Sequence, residues 1–436
     1  MKSIRFLIGL FFYSIYLSGF GQDLTKKIEG SSQQIQFGFS TAISDQKNRI
    51  VVGAPVFNSG KGRTQAYIHN ETEWVFERFF PPIGGISVDE NSVSTNGRLG
   101  SSVAVSGNGN YLAFGAPILN GEKDRQGRVI IYSVTEEKYW YLDGRATDER
   151  FGSSLAFSKN GTSLAIGSVP NTTDIKGRVT IYDLNNSGEW KQRDFEELVS
   201  IAPGVQEFGH AVVLSNDGNR LTVSSKASDF VKTYNYFPSE QTWRSINSLQ
   251  GSIGDDFGAS LATSGDGKIL AIGAPGNNSN TGYVSIYSYQ GESWQLLQKI
   301  IGKNTGDLFG TSVSLSDNGK LLAVGVPEFN TNQGKTTLYA FRNGTFVKEG
   351  DDIVGEANDR LGSSVSLSES GTTLVVGSPS HTVVVPPKGK GKGETRLNAG
   401  MITIYEYTDI APLDLSLTTT TIAENNAVGV IVGALS

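Results

Sequence analysis

Cysteine is absent from this chain of 436 residues, so no disulfide can stabilise its fold. Histidine is scarce, and His69, His210 and His381 lie far apart without a repeated acidic or nucleophilic companion. That pattern argues against a catalytic triad. The net charge is −6, with no basic stripe along the chain, which excludes nucleic acid as the expected partner. After the N-terminus no segment has the pattern of a long helix, so the core must come from β-structure.

One repeat recurs along the sequence. It begins with a Phe-Gly or Leu-Gly step, continues with two short runs in which apolar residues alternate with Ser and Thr, and closes with a third run that ends in Tyr. The glycine of the opening step has a period of about 50 residues, which is typical of propellers and solenoids. Alternating runs bounded by Gly, Asn and Pro predict short strands. The recurring glycines are Gly38, Gly100, Gly152, Gly209, Gly258, Gly310 and Gly362.

A fourth strand in each unit is predicted from the aromatic residues. Each of the five tryptophans follows the Tyr of a third run by a few residues, and Phe346 takes this place in the sixth unit. Aromatic residues are enriched in strands, so we interpret these side chains as packing residues of the fourth strand. The tryptophans are Trp74, Trp140, Trp190, Trp243 and Trp294.

The seventh unit lacks a fourth strand of its own, because Tyr405 is soon followed by Asp409 and Pro412. The segment from Leu24 to Gly38 matches the segment before the sixth unit in its Leu, Lys, Ile, Gly and Phe-Gly positions. We therefore expect residues 23–29 to supply the missing outer strand and to pair with the strand ending at Tyr405. Such closure protects the edges of the sheets.

These repeats resemble the FG-GAP repeats of integrin α-chains and, more closely, those of secreted bacterial surface proteins. The resemblance covers residues 23 to 408 and rests on the Phe-Gly steps together with the turns Gly53–Pro55, Gly115–Pro117 and Gly273–Pro275. The fourth unit departs from it, with Ser224–Lys226 in place of the turn. The resemblance implies an all-β, seven-bladed β-propeller over residues 22–408.

The chain ends differ in character from the repeats. Residues 1–21 contain Lys2 and Arg5, then an apolar stretch, and then small residues where a signal peptidase would cleave. This pattern predicts a signal peptide. A membrane anchor is the alternative, but the stretch is shorter than the about 20 apolar residues that a spanning helix needs. With that peptide removed, no transmembrane segment is expected, and the localisation is the outer cell surface or secretion.

Residues 409–412 read as a linker, and residues 413–436 resemble the first two strands of a cadherin-like β-sandwich, with an Ile-x-Glu-Asn step at Ile422–Asn425. Two strands do not fold alone. Either the sequence stops inside a longer protein or this tail pairs with something else. In cadherins the residue matching Glu424 helps to bind calcium between domains.

The resemblance to integrin repeats raises the question of calcium, because integrin-like repeats often carry Asp-rich loops between the first and second strands. Here each corresponding loop offers at most one carboxylate, whereas calcium takes six to eight oxygen ligands. We expect ordinary hairpin turns and no metal or cofactor in the propeller; calcium is implied only with cadherin-like domains beyond Ser436. The loops are Ser106–Gly109, Ser158–Gly161, Ser215–Gly218, Ser264–Gly267, Ser316–Gly319 and Ser368–Gly371.

The connections between the second and third strands vary most, and loops on a rigid scaffold are where recognition residues concentrate. The last of them contains the segment Pro386–Lys392, read either as a solvated loop or as a cationic contact for a ligand. We expect a non-catalytic adhesion or recognition protein for a surface protein or glycan. Alternatives are a hydrolase or lyase acting on extracellular polysaccharide, and a structural spacer. The candidate ligand-binding residues are Glu122, Asp124, Asp174, Asn277, Asn278, Glu328 and Lys388.

Overall fold

The computed structural model of the protein describes residues 22–45, 49–80, 96–170, 176–193, 198–199, 207–387 and 393–407. The predicted signal peptide, linker and cadherin-like segment lie outside these residues. So do two of the candidate binding residues, Asp174 and Lys388.

The described residues form a seven-bladed β-propeller, as the repeats predict. Each blade is an antiparallel sheet of four strands, and in the third blade a fifth short strand continues the outermost one. The first strands of all seven blades contact one another around a complete circle. The first strand of every blade therefore lies nearest the axis, and the fourth lies at the rim.

The strands of the first half of the ring follow the repeat units. The first strand, β1, comprises Gln22–Glu29. Blade 1 comprises β2 Ser40–Ser44, β3 Arg49–Ala54, β4 Arg63–His69 and β5 Trp74–Phe80. Blade 2 comprises β6 Ser102–Val105, β7 Tyr111–Ala116, β8 Arg128–Ser133 and β9 Lys138–Asp143. Blade 3 comprises β10 Phe151–Phe157, β11 Ser163–Ser168, β12 Arg178–Leu184, β13 Trp190–Gln192 and β14 Leu198–Val199.

The second half repeats this order. Blade 4 comprises β15 Phe208–Leu214, β16 Arg220–Ser225, β17 Phe230–Phe237 and β18 Thr242–Gln250. Blade 5 comprises β19 Ser260–Thr263, β20 Ile269–Ala274, β21 Tyr283–Gln290 and β22 Ser293–Ile301. Blade 6 comprises β23 Ser312–Leu315, β24 Leu321–Val326, β25 Lys335–Arg342 and β26 Thr345–Val354. Blade 7 comprises β27 Ser364–Leu367, β28 Thr373–Ser378 and β31 Met401–Tyr407, and a ribbon of β29 Val383–Val385 and β30 Glu394–Arg396 lies between the last two.

Helical structure in the described residues is limited to single turns. Three four-residue turns, α1 Phe57–Gly60, α2 Asn277–Asn280 and α3 Phe329–Asn332, connect the second and third strands of blades 1, 5 and 6. A 3₁₀ turn, Lys226–Ser228, takes this position in blade 4. None of the helices in the described part of the chain is long and apolar enough to cross a membrane.

The N-terminal strand closes the ring, as predicted. Strand β1 pairs antiparallel with β31 as the outermost strand of blade 7, with Lys27 opposite Thr403. The indole N–H of Trp74 in blade 1 donates to a carboxylate oxygen of Glu406 in blade 7 at 3.1 Å. The first and last parts of the propeller are therefore held together by backbone pairing and by side-chain contacts.

A repeated hydroxyl–carbonyl hydrogen bond links neighbouring blades near the axis. At the start of the first strand of six blades a serine donates to the carbonyl oxygen of the next blade's repeat glycine, for example Ser40 to Gly100 at 2.8 Å. The blades must approach closely here, since a Cβ added at Gly53 would lie 2.1 Å from that same oxygen. The other donors and acceptors are Ser102 and Gly152, Ser154 and Gly209, Ser260 and Gly310, Ser312 and Gly362, and Ser364 and Gly38.

Blade 4 uses a different pair of residues at this junction, which explains its lost turn. Ala211 takes the place of the serine, and Ser224 takes the place of the glycine at the end of the second strand. The Ser224 hydroxyl accepts a hydrogen bond from the Ala211 N–H at 3.0 Å. The hydroxyl has thus moved from one strand to the neighbouring strand, and the blade keeps the common architecture.

Apolar side chains of the described residues gather in seven clusters, one at each junction between neighbouring blades. The predicted role of the fourth-strand aromatics is confirmed. Trp74, Trp140, Trp190, Trp294 and Phe346 are buried in these clusters, and Trp243 packs against one of them. Burial of apolar area between blades supplies the main stabilisation of a chain without disulfides.

Candidate functional site

The propeller has two faces with different connections. We call the face where the first strand turns into the second the turn face. The opposite face, where the second strand joins the third and the fourth leads to the next blade, is the loop face. The candidate binding residues predicted from the sequence all belong to loop-face connections. The polar groups of the two faces are used in different ways.

In blades 2 to 7 the turn-face connections are tight hairpin turns, as predicted, and side-chain bonds within each turn support them. The serine hydroxyl of each turn bonds to the side chain two residues later, as in Ser215 to Asp217 at 2.5 Å and Ser264 to Asp266 at 2.6 Å. Burial raises the pKa values of Asp217 and Asp266, but the serine and backbone donors outweigh it, so that both pKa values lie below the ordinary one. These two carboxylates accept hydrogen bonds from donors within their own turns.

Backbone hydrogen bonds connect the turns around the axis. The N–H of the second turn residue donates to the carbonyl of the equivalent residue in the next blade, from Lys159 to Asn216 at 3.1 Å and onward through Gly265 and Asp317 to Glu369. Blade 2 joins through the neighbouring position, Asn108, whose N–H donates to Lys159. The turns of blades 2 to 7 thus form a connected arc about the axis.

Three charged side chains meet inside this arc. The Lys159 ammonium of blade 3 lies 3.0 Å from an Asp317 oxygen and 2.9 Å from a Glu369 oxygen, in blades 6 and 7. The side-chain amide of Asn216 donates to Asp317 at 2.6 Å. These groups line an open depression of about 850 Å³ on the axis. We call the trio of Lys159, Asp317 and Glu369 the axial network.

The Lys159 ammonium bridges the two carboxylates of the axial network. Burial lowers the pKa of Lys159, but hydrogen bonds to Glu369 and Asp317 outweigh it and raise that pKa overall. Burial raises the pKa of Glu369 despite the adjacent ammonium. Sequence reasoning missed this network, although the three residues share one register position, the residue after the serine that opens each turn. That shared position is the signal that could have found it.

Loop-face connections are fastened to the next blade by backbone hydrogen bonds. At five of the described blade junctions the residue before the Phe-Gly or Leu-Gly step donates its N–H to the preceding blade's connection, as in Arg98 to Gly60 at 2.8 Å and Arg150 to Arg125 at 3.1 Å. In all seven blades this residue has a left-handed backbone, although none is glycine. We call these residues the mouth residues, because each adjoins an innermost strand: Gln36, Arg98, Arg150, Glu207, Asp256, Leu308 and Arg360.

The connections of blades 1, 5 and 6 share one conformation, contrary to the expectation that they vary. In α1, α2 and α3 the second and third residues are left-handed, as at Asn278 and Ser279 with φ of 48° and 55°. Consecutive left-handed residues other than glycine are rare. The Asn277 amide donates to the buried Asp255 carboxylate at 2.7 Å, and the Asn278 carbonyl accepts from the Thr281 hydroxyl at 2.9 Å. Both asparagines thus have contacts within the fold.

The remaining candidate residues lie apart from one another. Glu328 forms a salt bridge with Arg360, the mouth residue of blade 7. Glu122 and Asp124 are exposed in the connection of blade 2, where the Asp124 carbonyl accepts from the N–H of Asp148 at 2.8 Å. The described candidates therefore belong to blades 2, 5 and 6 and do not converge on one point.

The three histidines lie in different blades, and each lies near a carboxylate. His381 Nδ1 lies 2.8 Å from Asp359, and its Nε2 lies 3.8 Å from Glu29. His69 and His210 lie 3.7 Å and 3.6 Å from Glu406 and Glu207. In the described part of the chain no group of three or more Asp, Glu or His side chains is placed to hold a metal ion. No family model matches the chain.

Proposed function

We propose that the chain is an exported surface protein of the FG-GAP repeat type, and that its propeller is a non-catalytic platform for adhesion or recognition. The partner is a protein or glycan at the cell surface, engaged by the loop face. The cadherin-like segment at 413–436 would belong to further modules of the same surface protein. The seven-bladed fold supports this proposal because such a disc presents connections from separate blades on one rigid face.

The observation that carries the proposal is the exposure of apolar side chains on individual loop-face segments. Ile253, in the connection into blade 5, is fully exposed, and Val384 and Leu397 of the blade 7 ribbon are 71% and 55% exposed. Val384 and Leu397 both belong to the connection of blade 7, and apolar side chains that protrude from one segment mark interaction surfaces. On the turn face, by contrast, the central charged groups bind one another.

The test is binding of the purified full chain to a panel of surface glycans and to intact cells, with two sets of variants. Loop-face variants Glu122→Ala, Ile253→Ser and Val384→Ser should weaken binding about tenfold in combination, since each removes an exposed contact. The turn-face variant Lys268→Ala, which changes a side chain that is 64% exposed, should bind as the parent does.

Melting temperatures of all these variants should stay close to that of the parent, because exposed substitutions cost under about 0.5 kcal/mol. Equal losses from both sets would refute recognition by the loop face. Turnover of a polysaccharide by the chain would refute the non-catalytic role.

A further inference from the structure

The mouth residues differ in how their charges are compensated. On one side of the ring Glu207 lies 3.6 Å from His210, and Asp256 lies 3.5 Å from Lys226. Arg360 of blade 7 pairs with Glu328. Asp256 and Arg360 therefore have their charges balanced by the protein itself. Burial lowers the pKa of His210, so this histidine does not supply a positive charge for Glu207 near neutral pH.

The mouth residues of blades 2 and 3 are two arginines without such partners. Among the described residues, neither Arg98 nor Arg150 has a salt bridge or a side-chain hydrogen bond. Arg98 is exposed, and the Nε–H of Arg150 is buried without an acceptor. A buried donor without a partner destabilises a protein unless a bound molecule satisfies it.

The positions of the two arginines are fixed by the backbone. Arg98 is held through its N–H to the Gly60 carbonyl, and Arg150 through its N–H to the Arg125 carbonyl at 3.1 Å. Arg125 is a third guanidinium beside them, but it is neutralised by Asp148 at 2.7 Å. Burial, followed by the repulsion of Arg125, lowers the pKa of Arg150. The carboxylates of Asp148 and Glu207 oppose this shift. Within the described residues, two guanidiniums without salt bridges thus lie on consecutive blades of the mouth.

An exposed aromatic ring lies on the neighbouring blade, blade 1. Phe39 follows the repeat glycine of blade 1 and is 44% exposed, whereas the same position in the other blades holds Ser, Thr, Ala or His. Blade 1 is the neighbour of blade 2, so the ring and the two guanidiniums occupy consecutive blades. A flat aromatic face packs on the C–H face of a sugar ring, and guanidinium forks bind carboxylates with two parallel hydrogen bonds.

We propose that Phe39, Arg98 and Arg150 form a binding site for a polysaccharide that carries uronic acid carboxylates. The site deepens the proposed function and rests on it. Phe39 packs against a sugar ring, while the arginines bind carboxylates of neighbouring residues along the polymer. The net charge of −6 repels every polyanion, so binding of an acidic polysaccharide depends on the two local guanidiniums rather than on the charge of the whole chain.

The experiment is titration of the full chain with polygalacturonate by calorimetry, with dextran as the uncharged polymer. Arg98→Ala combined with Arg150→Ala should weaken binding about tenfold or more, since two charge-assisted hydrogen-bonding groups are lost. Phe39→Ser, which installs the serine found in other blades, should weaken binding several-fold. Lys191→Ala combined with Lys268→Ala removes the same charge from exposed positions elsewhere and should leave binding unchanged.

Absence of polygalacturonate binding, or equal binding by the double arginine variant, would overturn the proposal. Tighter binding of sulfated dextran or of a single-stranded oligonucleotide would also overturn it, because the carboxylate would then not be the preferred anion. If the chain binds another surface ligand through Ile253 and Val384 but not polygalacturonate, the uronate site fails while the platform function stands. Unchanged melting temperatures identify the loss as one of binding.

Discussion

The hydroxyl of Ser364 donates a hydrogen bond to the carbonyl oxygen of Gly38 at 2.9 Å, across 326 positions of sequence. The bond joins blade 7 to blade 1 and belongs to the repeated set of serine–glycine links near the axis. Strand β1 pairs with β31 at the rim of the same blade. Two contacts thus close the ring: the serine–glycine hydrogen bond at the inner edge and the β1–β31 pairing at the outer edge.

Removal of the inner link should weaken the closed ring modestly. Ser364→Ala leaves the Gly38 carbonyl without its hydroxyl donor, so we expect the free energy of unfolding to fall by about 1 kcal/mol. The melting temperature should fall by about 2–4 °C or less, given the size of the domain. Ser252→Ala is the matched control, since that serine is exposed. Denaturant unfolding that gives the same change for both variants would contradict the role of this bond.

The exchange of residues in blade 4 predicts a strong coupling between two positions. Ala211→Ser alone places a second hydroxyl against Ser224, and Ser224→Gly alone removes the group that bonds to the Ala211 backbone. Each should destabilise the protein by about 1–3 kcal/mol. The double variant recreates the serine and glycine of the other blades and should recover most of this loss.

A double-mutant cycle measured by denaturant unfolding tests this coupling, which should lie within about 0.5–3 kcal/mol for residues in contact. Additive effects of the two substitutions would show that the positions do not compensate each other.

The repeats and the closing strand could be predicted from sequence because both depend on local patterns: a fixed Gly step, alternating runs and a matching N-terminal segment. The axial network could not be predicted from local patterns. Lys159, Asp317 and Glu369 share only a register position, and they meet only when the complete ring brings the turns of distant blades to one axis.

The conformation of the mouth residues could not be predicted from the sequence either. Glycine is the residue that normally indicates a left-handed backbone, and these positions hold Gln, Arg, Glu, Asp and Leu. The shared turns of blades 1, 5 and 6 did leave a signal. Each carries Asn followed by Ser or Thr at its left-handed positions, and Asn tolerates that conformation better than most residues. The equal spacing of these pairs after the second strand predicts one shared turn rather than three different loops.

The axial network should contribute to stability through Lys159. Lys159→Met keeps the length of the side chain but leaves the Asp317 and Glu369 carboxylates together without their cation, so we expect a loss of about 1–2 kcal/mol at pH 7. The raised pKa means that the ammonium form stabilises the fold, and this contribution disappears only as the pH rises through that raised value.

Lys268→Met is the control for the axial lysine, because Lys268 is exposed on the same face and lies 3.8 Å from Asp266. Urea unfolding at pH 7 should show little change for this variant. A Lys159→Met protein as stable as the parent would mean that the axial network is dispensable.

Stability near neutral pH should depend on His381. The hydrogen bond to Asp359 raises the pKa of His381 against the opposing effect of burial, and the charges of Asp359, Glu356 and Glu29 act in the same direction as the bond. A raised pKa in the folded protein means that protonation stabilises the fold. The contribution is complete below about pH 6.5, the ordinary pKa of histidine, and is lost as pH rises through the raised value.

The measurement is the free energy of unfolding from about pH 5 to pH 9, a range that contains the ordinary pKa of histidine. The parent should lose stability across the upper part of this range relative to His381→Gln, which has no group to titrate there. Asp359→Asn should flatten the profile as well. Identical profiles for the parent and His381→Gln would show that this histidine does not couple to folding.

Closure by the N-terminal strand is the claim on which both faces of the disc depend, and a cross-link tests it most directly. The chain has no cysteine, so Lys27→Cys with Thr403→Cys introduces one pair at positions that face each other in β1 and β31. Cα atoms of antiparallel partners lie about 4.5–5.5 Å apart, which suits a disulfide. Lys27→Cys with Ser293→Cys in blade 5 is the control. We predict a single intramolecular disulfide in the first variant only, seen as faster migration on a non-reducing gel and a higher melting temperature; cysteines that stay free, or that bond only between molecules, would contradict the closed ring.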